Sequence, residues 1–482
     1  MVGTRHGGIR SGHGHPGAPE SPERSLSSRR EFLTSASVLG LSAARARFPL
    51  TPFSPTPFPA RLAVPTPPQL AWHRGELGLF LHFGVNTFTD REWGLGNEAE
   101  SVFNPTALDA RQWARAARAG GFRRMILTAK HHDGFCLWPS AVTAHSVKSS
   151  PWRGGTGDVV REFVDAARAE GLEPGLYLSP WDRHEPTYGD SPRYDDFYCA
   201  QLTELLTRYG PLVEIWFDGA NGEGPNGKKQ VYDWTRYHTL IRKYQPRALI
   251  FSDAGPDLRW VGNEDGSAGD PNWCAVDPAV VPYPGAEGDA VTRELQHGDP
   301  TGSVWRPGEA DVSIRPGWFW HPAEDANVKA PSALLDLYVS SVGRNAGLLL
   351  NVPPNRAGLL SDPDVANLKA FGDTRAAWLS HDVAASAFVR HGPGDVVLTL
   401  AKPAEVDTIV LREEIERGQM VETFTVETDD GTRWRTAATG TTIGAKRIVR
   451  INPVTAGRVR VSMQSSLGRP GLAAVALHRS PA

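Results

Sequence analysis

Val213-Glu214-Ile215-Trp216-Phe217-Asp218-Gly219 reads as an apolar strand that delivers a carboxylate at its C-terminal end. The next strand-like run, Ala248-Leu249-Ile250-Phe251-Ser252-Asp253, leads into a loop that carries Glu264. Near-continuous apolar strands belong to parallel sheets covered on both faces, and their C-terminal ends are where such folds place chemistry. Two acidic groups on neighbouring strand-end loops, among tryptophan and histidine, point to a glycosidic bond. One carboxyl can attack while the other donates a proton.

Outward from this stretch, short apolar runs alternate with helical segments from Leu77 to about Gly372. Strands are expected at Leu77–Phe83, Arg124–Ala129, Gly175–Ser179, Leu212–Asp218 and Ala248–Asp253, with weaker ones near Ser303–Trp305, Trp318–Trp320 and Leu348–Val352. Between them, Val160, Phe163, Val164 and Ala167 recur at helical spacing behind an Asp158 cap. Leu202, Leu205, Leu206 and Tyr209 form a similar stripe closed by Gly210. Trp234, Tyr237 and Ile241 mark a third helix, and Leu334, Leu335, Tyr338 and Val342 a late one. The stretch from Gly255 to Val304 shows too little periodicity for helices and reads as long loops at the strand ends. Up to eight strand-helix units imply a (β/α)8 TIM-like barrel over 69–380. His82-Phe83-Gly84 stands where a dinucleotide fold would place GxGxxG, which argues against that alternative.

After about Ser380 the helical signal stops. Val396–Leu400, Asp407–Leu411, Val421–Glu427, Arg447–Ile451, Arg458–Val461 and Ala473–Leu477 read as short strands separated by Gly, Pro and Asp turns. They imply a β-sandwich over 381–482, galactose-binding-like in type, that covers one side of the barrel or binds sugar. No clear aromatic platform supports the second role.

The chain of 482 residues has room for two domains and tails. A net charge of -3 with mixed signs gives no electrostatic case for nucleic acid. Fifteen tryptophans are many, and those not needed for packing offer flat faces to the C–H side of a sugar ring. Cys136, Cys199 and Cys274 fit no zinc or redox spacing and allow at most one disulfide, so they read as small buried residues.

Residues 1–27, rich in Gly, Pro, Ser, His and Arg, read as a disordered tail or as the product of a start called too early. Ser28-Arg29-Arg30-Glu31-Phe32-Leu33 and the mild apolar run ending at Ala44-Arg45-Ala46 form an export signal of twin-arginine type over 28–46. A periplasmic or extracellular protein is therefore expected. The apolar run is far shorter than the roughly 20 residues of a membrane span. Residues 47–68 are a proline-rich lead-in.

At the mouth of the expected barrel, His82 closes the first strand and His131-His132-Asp133 follows the second. Tyr177 and Trp181 flank the end of the third, and Trp216 and Asp218 end the fourth. Adjacent histidines point in different directions, and no HxH, HExxH or Cys/His spacing supports a metal site. Each histidine alone could be a hydrogen-bonded core residue. Taken together they suit the hydroxyls of a sugar better. Asp218 could cap a helix, but Gly219-Ala220-Asn221-Gly222 reads as loop. Its partner is one of six carboxylates on this reading: Asp253, Asp257, Glu264, Asp265, Glu309 or Asp311.

The chain resembles the α-L-fucosidases of glycoside hydrolase family 29 over almost all of residues 69–480. The resemblance rests on LGLFLHFG (77–84), TAKHHDGFCLWPS (128–140), YLSPWDRH (177–184), EIWFDGANG (214–222) and SVGRNAGLLLNVPPN (341–355), in order. SDAGPDLRWVGNE (252–264) resembles the subgroup specific for α-1,3/1,4-linked fucose, as do LREEIERGQMVETFTVE and TGTTIGAKR in the C-terminal part. The resemblance implies retaining hydrolysis, with Asp218 as nucleophile, Glu264 as acid/base, and carboxyls about 5–5.5 Å apart. It implies that His82, His131, His132, Tyr177 and Trp216 hold the fucose, with Trp320 against its methyl-bearing side. An apolar wall there would favour fucose over galactose by roughly 1–3 kcal/mol. The expected partner is a fucosylated oligosaccharide or glycoconjugate, with no cofactor and no metal. Another retaining exoglycosidase, of α-galactosidase or hexosaminidase type, remains open, as does a silent sugar-binding protein.

Overall fold

The computed structural model describes residues 62–480, so the expected tail and export signal lie outside the described residues. In chain order its first strands are β1 (Leu77–Leu81), β2 (Arg124–Lys130), β3 (Glu173–Leu178), β4 (Glu214–Trp216), β5 (Leu249–Phe251) and β6 (Arg259–Trp260). A ribbon of β7 (Ala275–Val276) and β8 (Val304–Trp305) follows, then β9 (Gly308–Ser313) and β10 (Gly347–Asn351). All but the ribbon form one eight-stranded parallel sheet in the order β5-β4-β3-β2-β1-β10-β9-β6. A parallel bridge between Phe251 and Leu258 joins its two ends, which makes the sheet a TIM-like barrel.

Strand parity builds the barrel. Leu77, Leu79 and Leu81 of β1, Met125, Leu127 and Ala129 of β2, Ile215 of β4 and Phe217 just after that strand pack outward against the helices. Phe80, Ile126, Tyr177, Trp216, Phe251 and Leu349 fill the interior instead. The outer helices follow the expected stripes. Asp158 caps Val159–Ala169 by accepting the Arg161 N–H at 2.8 Å, and Val160, Phe163, Val164 and Ala167 are buried. Tyr237 and Ile241 are the buried face of Trp234–Tyr244.

Two expected strands need correction. Trp318–Trp320 is not a strand, and Ser303–Trp305 supplies only the ribbon strand β8. The barrel instead uses β6 and β9. Strand β9 alternates Glu309, Asp311 and Ser313 with Ala310 and Val312, and all six of its residues are buried. Polar side chains inside a barrel erase the apolar run that marks a buried strand. The stretch 255–304, read as loops, also holds the helix Asp289–His297.

The polar interior has a reason. Arg124 is enclosed in the barrel with its Nη2 2.7 Å from Glu309 Oε2 and its Nε 3.4 Å from Glu214 Oε2. Its guanidinium lies 4.7 Å from the Trp72 ring centroid. Glu309 in turn accepts the Trp216 indole N–H at 3.2 Å, tying this layer to the floor of the mouth. One cation faces two carboxyls, and burial first, with Glu309 second, holds Glu214 well above the usual carboxylate range. Removing the cation strands buried charge. Arg124→Ala should therefore lower unfolding free energy by about 3–5 kcal/mol in chemical denaturation. A loss below about 1 kcal/mol would show that the cluster is not held as described.

The remaining strands are β11 (Phe388–Gly392), β12 (Asp395–Glu413), β13 (Thr423–Asp429), β14 (Trp434–Gly440), β15 (Arg447–Gln464) and β16 (Leu472–His478). They form an antiparallel, sandwich-like sheet. Four of the short strands expected there are halves of two long ones. Val396–Leu400 and Asp407–Leu411 both lie in β12, and Arg447–Ile451 and Arg458–Val461 both lie in β15. Register shifts between Thr399 and Ala404 and between Val406 and Thr408 let the pair bend. Lys446 and Arg412 reach Glu76 beside β1, at 3.0 and 2.7 Å, and fasten this sheet to the barrel. The three cysteines are free and buried.

Candidate active site

The C-terminal ends of β1 to β4 bring the histidines, Tyr177, Trp216 and Asp218 to one level. Asp218 Oδ1 accepts the Ala220 N–H at 2.7 Å, and Oδ2 accepts the Tyr177 hydroxyl at 3.2 Å. His132 Nε2 lies 3.8 Å from the same Oδ2. Below it Trp216 stacks on Phe251, with centroids 4.3 Å apart and planes at 10°.

The network fixes which nitrogen of each histidine is free. Asn351 Nδ2 donates to Ser313 Oγ at 3.0 Å and to the Trp318 carbonyl at 2.8 Å. Its Oδ1 therefore accepts from His82 Nδ1 at 2.9 Å. Ser179 Oγ donates to the Trp181 carbonyl at 2.7 Å and so accepts from His132 Nδ1 at 2.7 Å. Each ring thus keeps Nε2 as an acceptor. Burial holds the His82 pKa down to about 4 and lowers those of His131 and His132. His131 Nδ1 is buried without a protein partner. Neutral rings with free acceptors suit hydroxyl donors. Among the described residues, no group of three or more His, Cys, Asp and Glu side chains is arranged to hold a metal ion.

Glu264 follows β6 and faces the same opening. Its Oε2 accepts the Trp318 indole N–H at 3.2 Å. Burial raises its pKa, and the negative charge of Asp218 adds to the effect. Asp311 of β9 accepts the Trp260 indole N–H at 2.7 Å, and burial pushes its carboxyl well above the usual range.

Two cavities meet here. The smaller, about 150 Å³, is walled by Phe80, His82, Glu92, Trp93, His131, His132 and Trp318. The larger, about 470 Å³, extends past Asn221, Asp253, Trp260 and Gly285. Trp216, Asp218, Ala220, Glu264 and Asp311 border both. The two carboxyls assigned to chemistry thus stand where the cavities join.

Of the residues singled out from the sequence, the structure gathers His82, His131, His132, Tyr177, Trp216, Asp218 and Glu264 around this junction. Trp320 is not among the residues lining either cavity, and its indole N–H is held by Ser361 Oγ at 3.0 Å. Trp318, two residues earlier, takes the wall because the segment turns as bends rather than as a strand. Glu92 and Trp93 also escaped the sequence reading. They sit in an irregular loop beyond the short helix Val85–Thr89 that follows β1, and the adjacency of an acid and a tryptophan between the first two strands was the available signal.

Glu92 also braces the wall. Its carboxylate accepts the backbone N–H of Trp318 at 2.8 Å and of Phe319 at 3.2 Å. His321 bridges Glu92 at 2.6 Å and Asp90 at 2.8 Å, one ring nitrogen to each. Two acceptors on both nitrogens require the imidazolium. Those two hydrogen bonds raise the His321 pKa against the lowering effect of burial.

Residues 87–382 match the family described as Alpha-L-fucosidase. Alpha-L-fucosidase 1 of Arabidopsis thaliana is 44% identical over 437 residues, covering 84% of this chain and 85% of its own. A solved glycoside hydrolase 29 family member from a rumen bacterium is 39% identical, with a TM-score of 0.82 over 88% of this chain and 78% of its own. A Ruminococcus gnavus fucosidase solved with fucose is 30% identical, with a TM-score of 0.79 over 88% of this chain and 96% of its own.

Proposed function

The chain belongs to the α-L-fucosidase family, glycoside hydrolase family 29, and from that premise we propose that it releases α-1,3/1,4-linked terminal L-fucose from branched oligosaccharides through a covalent fucosyl-enzyme. The observation that carries the reading is the position of Asp218 and Glu264 where a small cavity meets a larger one. A compact terminal sugar fits the first, and a branched remainder has room in the second. The linkage reading rests further on the segment from Ser252 to Glu264.

In the first displacement Asp218 Oδ attacks the anomeric carbon of fucose. The bond to the leaving oxygen breaks as the Glu264 proton moves to that oxygen. Glu264, now a carboxylate, takes a proton from water. That water attacks the same carbon, expels Asp218, and leaves L-fucose with its α configuration retained. The neutral histidines accept the fucose hydroxyls throughout, so no charge has to be moved to bind a neutral sugar.

The test compares L-fucose release from a branched Lewis-type trisaccharide, a 2'-fucosylated lactose and an aryl α-L-fucoside. Release from the trisaccharide at a kcat/KM at least tenfold above that of the 2'-linked sugar is expected. Equal release from both would keep the fucosidase and reject the linkage.

A further inference from the structure

The larger cavity has a feature that the displacement chemistry does not use. Asp253, two residues beyond β5, lies in its wall beside Asp218. Its Oδ2 accepts the Gly285 N–H at 2.9 Å. Gly285 stands in a turn closed by the Ala286 N–H on the Tyr283 carbonyl, and it has φ +81°. That conformation favours glycine. Space demands it too, since a Cβ on Gly285 would meet the Gly219 carbonyl oxygen at 2.5 Å. A Cβ on Gly219 would lie 2.2 Å from Asp253 Oδ2. Three residues from three strand-end loops therefore close on one another without room for an added carbon, one of them directly after Asp218.

Among the described residues, Gly285 N–H is the only hydrogen-bond donor that Asp253 receives from elsewhere in the chain. Its second oxygen is left for whatever fills the cavity. An anionic occupant is disfavoured on charge grounds, since Asp218, Asp253, Glu264, Glu287 and Asp311 line the space against one cation, Lys229, and the saccharide that departs in the proposed reaction carries no charge. A half-buried carboxyl with an unused oxygen is a good partner for a hydroxyl.

We propose that Asp253 is a specificity-determining residue for the leaving group. One oxygen fixes the Tyr283–Ala286 turn against the nucleophile's loop, and the other binds a hydroxyl of the neutral saccharide that departs. This rests on the fucosidase reading above and adds to it the group that recognises the departing sugar. Burial pushes the Asp253 carboxyl up to about 6, so its form at the cavity changes within a range accessible to kinetics.

Steady-state kinetics on the branched trisaccharide and on an aryl α-L-fucoside separate the possibilities. In Asp253→Ala, kcat/KM for the trisaccharide should fall at least tenfold more than for the aryl fucoside, and mainly through KM. Asp253→Asn keeps an acceptor for Gly285 and a polar group for the hydroxyl, and should recover most of that difference. The wild-type KM for the trisaccharide should shift near pH 6, and that of Asp253→Asn should not. Equal losses on both substrates in both variants would mean a purely structural role and overturn the proposal. So would an unchanged trisaccharide KM. A wild type that cleaves only the aryl fucoside would sink the linkage reading itself, a result read before any variant is made.

Discussion

Asp218→Ala is expected to lower kcat for an aryl α-L-fucoside by roughly 10³–10⁶-fold, the scale on which a covalent nucleophile acts. The fold should survive, because the carboxylate caps no helix. Its partners are the Ala220 N–H and the Tyr177 hydroxyl, and a quarter of its side chain is exposed. The stronger form of the result is stereochemical. Azide can occupy the space that the carboxylate leaves and attack the anomeric carbon from the same face. The product should then be the β-L-fucosyl azide, with rate restored in proportion to azide. NMR of the fresh product reads this directly. If azide restores no rate while the protein remains folded, Asp218 is not the attacking group.

Asp218 was legible because a polar residue ends an apolar strand, which only a strand-end site explains cheaply. The same logic exposed His82, His131 and His132. It failed at Glu264, where residue spacing left six carboxylates and only the family resemblance chose among them. The structure shows why spacing could not choose. Asp257 turns outward to Arg242 at 2.5 Å and holds the Ile250 N–H at 2.7 Å. Glu309 is committed to Arg124 and Trp216. Asp311 is held by Trp260, Asp253 by Gly285, and Asp265 lines neither cavity. Each fate depends on contacts between residues far apart in sequence.

The fold divides along the same line. Strands that turn aliphatic residues toward the helices announce themselves, as in Leu77–Leu81 and Arg124–Lys130. Strand β9 does not, because its inward positions hold the acids that neutralise Arg124 and meet Trp260. Trp318 and Trp320 could not be told apart for a related reason. Parity assigns faces only within a strand, and their segment is a series of bends pinned by Glu92. Where the site imposes polar residues on the barrel, it hides the barrel.

Glu264→Ala should separate from Asp218→Ala by leaving group and by product. For a saccharide leaving group the loss of a general acid is expected to cost roughly 10²–10⁴-fold in kcat/KM. For an aryl fucoside with an acidic phenol the first displacement scarcely needs that proton, so the loss should be far smaller. Release of the fucosyl-enzyme then limits turnover, since no base activates water. Azide needs no base and can enter where the carboxyl stood, attacking the fucosyl-enzyme from the face opposite Asp218. The azide product should therefore be α, the reverse of that from Asp218→Ala. The pH profile carries the same assignment. Burial, reinforced by Asp218, raises the Glu264 pKa above the ordinary glutamate value. The acid is active while protonated, so wild-type kcat/KM on the saccharide should fall as pH rises through that raised value. In Glu264→Ala this alkaline limb should vanish. A limb that persists at the same pH would assign the proton to another group, with Asp311 the first to examine, since burial raises its pKa at the same junction.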